Sequence, residues 1–239
     1  MPGPVIRVVI FVTRLVSTEV GSMQQKQKGF TLIEIAIVLL IIGLLLGGVL
    51  KGQSMINSAR VRAIANDLSG IETAWVSFQD RYQSLPGDYS RASTHIVSGA
   101  ADGNANARVD TVAEAGAVWQ HLAGAGFITG NFTGAAVTSL ADGDCDATIC
   151  PGNPYSGFYK IANSSNALGQ GATSHELSTG GNIPVEVMYE LDLKIDDGVA
   201  GTGRLRAFDA PPYNTCITNN EWDVVSGAAD CAAVLELPL

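Results

Sequence analysis

The feature that most constrains this chain is a run of 21 residues, 30–50, whose only charged member is Glu34. From Ile35 to Leu50 nearly every residue is Ile, Leu, Val, Ala or Gly. A helix of about 20 apolar residues crosses a bilayer core. A carboxylate in hydrocarbon costs ~2.5 kcal/mol or more, so an intramembrane Glu marks function and needs a partner. A single subunit is expected to offer Glu34 only poor partners. Lys26 and Lys28 precede the run and a long polar region follows Leu50. The positive-inside rule then puts the N-terminal flank in the cytoplasm and the rest of the chain outside.

The run begins as a recognisable unit, Lys28-Gly29-Phe30-Thr31-Leu32-Ile33-Glu34. It resembles the N-terminus of type IV prepilins and of the pseudopilins of type II secretion systems. The resemblance implies that a membrane-embedded prepilin peptidase cuts after Gly29 and methylates the new amino terminus on Phe30. It also implies that Glu34 is an assembly residue. The Phe30 amine of one subunit, at the positive end of a helix dipole, meets Glu34 of the next, and a buried charge is tolerable when paired. The partners implied are other pilin or pseudopilin subunits, the peptidase/methyltransferase, an inner-membrane assembly platform and membrane lipid. The location implied is the bacterial inner membrane, single-pass with an exported periplasmic domain, and then a pilus or pseudopilus.

Residues 1–22 hold a short apolar patch broken by Arg7 and Arg14, too interrupted for a second span. The family's leaders are commonly short and basic, so the expected translational start is Met23, with 1–29 as leader. The organisation expected beyond it is a transmembrane half-helix at 30–50, an amphipathic half-helix at 51–84 and an exported globular domain at 85–239. Val61, Ile64, Leu68, Ile71, Trp75, Phe78 and Tyr82 recur at steps of three and four, one apolar stripe on a helix. Many major pilins carry a kinking Pro where Lys51 stands, and no Pro interrupts this helix, so the reading is a minor pilin or a pseudopilin. Pro86-Gly87 ends the helix.

The fold class expected is α+β: a long N-terminal helix packed on a small antiparallel sheet, pilin-like. A short helix is expected at 114–122 with Val118, Trp119 and Leu122 buried, and strands at 157–161 and 203–208. Residues 183–195 support two readings. Apolar Val185, Val187, Tyr189, Leu191 and Leu193 alternate with polar residues, as in a strand, while Pro184 suits a helix start and Gly198 a stop. The helix is preferred, because similar prepilin-like proteins place one before an Asp-Asp-Gly turn.

Cys145, Cys150, Cys216 and Cys231 all lie on the exported side, where disulfides are the default. Proximity suggests Cys145 with Cys150 and Cys216 with Cys231, among three connectivities that sequence allows. The second loop resembles the C-terminal disulfide-bounded region of many pilins. Neither pair has Cys-x-x-Cys spacing or a nearby His, which argues against zinc.

The chain has 14 basic and 23 acidic residues, and from Phe30 onward 10 and 22, a net charge of -12. That balance disfavours a nucleic-acid partner. It suits calcium, which takes oxygen ligands. The candidate ligands are Asp102, Asn104, Asn106 and Asp110; Asp142, Asp144 and Asp146; and Asp196 and Asp197. The competing reading is turns that use Asp and Asn for their own backbone. No catalytic motif is present. Ser174-His175-Glu176 are neighbours in sequence, but a triad must converge in space. The expectation is a structural protein and not an enzyme, with a membrane-tethered binding protein or enzyme on the prepilin sorting route as the alternative.

Overall fold

The computed structural model describes residues 30–140 and 145–238. The leader, with Gly29 and Met23, lies outside the described residues. The chain forms two compact units, Met1–Gly48 and Val49–Leu239.

In the first unit the described residues are almost entirely helix. Helix α1 (Leu32–Tyr82) begins here. Every residue from 30 to 48 is exposed, including Ile33, Leu39, Leu44 and Leu46. An apolar helix exposed all round belongs in lipid or against other helices. Among the described residues, α1 is the one helix long and apolar enough to cross a membrane.

In the second unit α1 changes character. Val61, Ile64, Leu68, Ile71, Trp75 and Phe78 are buried, and Tyr82 is half-buried. The stripe read from the sequence is therefore the seam of the core. The helix is unbroken through Lys51 and ends at Tyr82, after which Gln83 adopts φ 51° and Gly87 φ 91°. Helix α2 (Ala92–His95) is one turn. Helix α3 (Val112–Gly124) is opened by a capping box: Thr111 Oγ1 accepts from Glu114 N, and Glu114 accepts from Thr111 N. Val118, Trp119 and Leu122 are fully buried.

Strands β1 (Lys160–Ser164), β2 (Ser174–Ser178), β3 (Leu205–Ala207) and β6 (Ala233–Glu236) form an antiparallel sheet in the order β1-β2-β6-β3. Ile161, Leu177, Leu235 and Leu205 are cross-strand partners in one apolar row. That row belongs to the same core as Ile64, Leu68 and Trp75. Backbone bonds also run outward from both edge strands, Asn163 N to Val109 O beside β1 and Ala207 N to Ala200 O beside β3. Strands β4 (Ile217–Thr218) and β5 (Glu221–Trp222) make a separate hairpin.

Polar side-chain contacts also tie α1 to this domain. Trp75 Nε1 donates to Pro238 O at 3.0 Å, Tyr159 Oη donates to Asp67 Oδ2 at 2.9 Å, and Arg204 pairs with Glu72. Burial, with Asp67 beside it, pushes the Tyr159 phenol well above its ordinary pKa.

Residues 183–195 do form a helix, α4 (Val185–Ile195), following Pro184. Strand β1 starts three residues later than expected. Asn153 Oδ1 accepts from Tyr155 N and Gly157 N, which folds 153–157 into a turn before the strand can begin.

Candidate functional site

The functional segment is the N-terminal turn of α1. Phe30 is exposed and precedes the helix, Thr31 is its N-cap and Glu34 lies in its first turn. Thr-x-x-Glu at a helix start is a capping-box pattern, and the geometry is reciprocal. Thr31 N and Thr31 Oγ1 both donate to Glu34 Oε2 at 2.9 Å, and Glu34 N donates to Thr31 Oγ1 at 3.3 Å. This corrects the expectation that a lone subunit leaves Glu34 with only poor partners. Its own N-cap supplies two donors, and the positive end of the helix lies beside it. Both side-chain bonds end on Oε2. Oε1 has no hydrogen bond among the described residues, so the second oxygen can take an ammonium without breaking the cap.

The disulfides join Cys145 to Cys150 and Cys216 to Cys231. The second bounds a loop that holds β4 and β5. That loop docks on α4 through Val185 N to Ala228 O at 2.9 Å and the Trp222 indole to Asp192 at 2.8 Å.

The acidic loops spend their oxygens on the chain itself. Asp102 accepts from Ser93 N and Oγ, which lowers its pKa. Asn104 Oδ1 accepts from Asn106 N, Asn106 Oδ1 from Arg108 N, and Asp110 from Asn106 Nδ2. Buried Asp88 closes the same loop, accepting from Asn106 N and Ala107 N. Asp196 accepts from Arg204 N and Leu205 N, and Asp197 from Thr202 Oγ1 and Val199 N. Asp146 accepts from Thr148, while Asp142 and Asp144 lie outside the described residues. Among the described residues no group of three or more His, Cys, Asp or Glu gathers to hold a metal. An open cavity of about 560 Å³ lies beside the end of α1, lined by Gln79, Asp80, Gln83 and Asp88 among others. Ser84 also lines it, and its lining residues include no histidine or cysteine.

The Ser174-His175-Glu176 run lies on β2, whose alternation points His175 to the face opposite Ser174 and Glu176. His175 packs against Trp75 with ring centroids 5.4 Å apart and tilted planes, and accepts from Val109 N. Glu176 accepts from Ser164 Oγ, Asn166 N and Ala167 N, anchoring the loop that follows β1. His121 is fully buried. Its Nδ1 accepts from Gly87 N at 2.9 Å and its Nε2 donates to Ala101 O at 2.7 Å, which fixes the neutral tautomer. Burial lowers its pKa in the same direction. These are bracing roles that adjacency in sequence did not reveal; the Thr31–Glu34 and Thr111–Glu114 spacings did carry a readable signal.

No curated protein and no solved structure gives a match. A family model does, over the segment just described. At residues 24–50 the chain carries the prokaryotic N-terminal methylation motif, the prepilin-type cleavage and methylation signal, and that signal marks it as a prepilin-pathway substrate.

Proposed function

We propose that this chain is a structural subunit, a minor pilin or pseudopilin, of a type IV pilus or a type II secretion pseudopilus. It is cleaved after Gly29, methylated on Phe30 and held in the inner membrane by residues 30–50 until assembly. Other pilin subunits and an assembly platform in that membrane are its partners, and its exported domain serves a structural role instead of a catalytic one.

The observation that carries this reading is Glu34 in a wholly uncovered apolar helix, capped through one oxygen and open at the other. A plain anchor gains nothing from a carboxylate at that depth. A filament gains a charge pair with the neighbouring Phe30 amine, worth most where water is excluded.

The test separates filament from tether. Glu34→Gln keeps shape and Thr31 hydrogen bonds but removes the charge. The variant is expected to be processed and inserted normally, with an N-terminus at methylated Phe30 by mass spectrometry, yet to be at least tenfold depleted from sheared or cross-linked filaments. Equal incorporation of the variant would overturn the charge-pair role of Glu34, whereas absence of the parent protein itself from filaments would overturn the filament reading and leave a tethered exported protein sorted by the same pathway.

A further inference from the structure

Segment 87–109, between α1 and α3, meets an imidazole at each end. Gly87 N donates to His121 Nδ1 at 2.9 Å, and Val109 N donates to His175 Nε2 at 3.3 Å. Both rings are sealed from solvent, His121 fully and His175 at 2 % exposure. Each packs on an aromatic of the second half of α1. His121 lies nearly parallel to Phe78 with centroids 6.2 Å apart, and His175 lies against Trp75.

An imidazole nitrogen accepts a hydrogen bond while it carries no proton, and in the imidazolium both nitrogens are donors. A proton on His121 Nδ1 would face the Gly87 N–H, and one on His175 Nε2 would face the Val109 N–H. The other ring nitrogens give no relief. His121 Nε2 already donates to Ala101 O at 2.7 Å, and His175 Nδ1 is buried without a hydrogen bond among the described residues. Charging either ring thus leaves a buried cation opposite a buried backbone N–H that has lost its acceptor, which is strongly unfavourable. Burial lowers the pKa of both rings in the same direction. Asp102 favours a proton on His121; Asp88 and Asp110 favour one on His175, and Arg108 disfavours it. The charges of the neighbouring elements are engaged elsewhere. Glu114 of α3 accepts from Asn104 N, and Arg81, Asp67 and Glu72 of α1 meet Ala125 O, Tyr159 and Arg204. Glu176 and Glu236 pair across the opposite face of the sheet.

We propose that His121 and His175 form an acid release for segment 87–109: the segment closes over two neutral imidazoles, and its opening takes up two protons. Contacts that do not depend on these rings hold the segment at every pH, among them the burial of Val109, Ala101 N to Gln120 Oε1 and Asn163 N to Val109 O. They set how rarely the segment opens, and the imidazoles set how that rarity changes with acidity. The sign follows from linkage. The closed form excludes protons that the open form binds with an ordinary imidazole pKa of about 6.5. Closure therefore has its full support above that value and loses it as pH falls below. With two protons taken up, the opening equilibrium rises roughly 100-fold from pH 7.5 to pH 5.5. Asp88, Ala105 and Ala107 of the same segment wall the cavity beside the end of α1, so opening dismantles that cavity. The release does not depend on filament assembly.

The experiment is amide hydrogen exchange by NMR on the full-length processed protein in detergent, corrected for intrinsic exchange rates. Protection at Gly87 and Val109 is expected to fall roughly 100-fold from pH 7.5 to pH 5.5, while the amides of the β1–β2 ladder keep theirs. His121→Gln can still accept from Gly87 N and donate to Ala101 O but does not titrate, so it should reduce the fall to about tenfold. Level protection, an undiminished fall in the variant, or an equal fall in the ladder would each overturn the proposal. Ring NMR on the unsubstituted protein keeps the test independent of the variant's folding. Neutral tautomers with the proton on Nε2 of His121 and on Nδ1 of His175 are expected. Either ring taking up a proton at about pH 6 or above, with Gly87 and Val109 still protected, sinks the proposal.

Discussion

The two halves of α1 obey opposite rules. From 32 to 48 every residue is exposed although nearly all are apolar, whereas from 61 to 78 the large apolar residues other than Val76 are buried on one face. The second half is stabilised by its own chain through a core shared with Ile161, Leu177 and Leu235. The first half has no such core, so its stabilisation must come from lipid or from other chains. Helix is common to both; what differs is where the apolar surface finds its cover. The single carboxylate of the first half fits that difference, since it is capped within its own turn and left open on the other oxygen.

The sharpest way to break the comparison is one deletion in each half. Trp75→Ala removes a fully buried indole and its bond to Pro238 O. It is expected to cost the exported domain about 3–5 kcal/mol, seen as a large drop in unfolding midpoint. Leu40, 68 % exposed, is expected to give no measurable change in that domain when replaced by Ala. Equal effects would mean that the halves are one folding unit.

The disulfides come next. In the chain-entropy model, closing the 15-residue separation of Cys216–Cys231 is worth roughly 3 kcal/mol and the 5-residue one of Cys145–Cys150 roughly 2. Denaturant unfolding of the two paired Cys→Ser variants should rank them in that order, and the reverse order would show that docking of the short loop matters more than chain closure. Tyr159→Phe, which leaves Asp67 without its phenol donor, is expected to cost about 1 kcal/mol in the same assay.

The smallest effect is acidic. Hydrogen bonds from Ser93, Thr148 and Thr202 hold Asp102, Asp146 and Asp197 below their ordinary pKa. Their contribution is present above the ordinary carboxylate range and is lost as pH falls through the lowered values. Thermal melts of Asp102→Asn should therefore lose less stability between pH 5 and pH 2 than the parent protein. Because all three groups are solvent-exposed, the difference should be slight.

Local pattern determined the helix from Leu32 to Tyr82 and the signal before it. The cleavage and methylation signal, the uncharged span, the apolar stripe and the Pro86-Gly87 stop are short-range features, and a helix needs only its own residues to satisfy its backbone. Tertiary structure decided the rest. Residues 185–195 also read as period two, although the helix was preferred, and burial of Met188 and Asp192, with Tyr189 and Leu193 left outside, follows the helical period on the core available beneath. Sheet order is equally nonlocal, since β6, the last strand of the chain, enters between β2 and β3. So are the three partners of Glu176, the two bonds of His121, and the requirement for glycine at 116, where a Cβ would lie 1.8 Å from Ala135 O. Each of these depends on residues distant in the chain meeting in space, and neither propensity nor spacing encodes which of them meet.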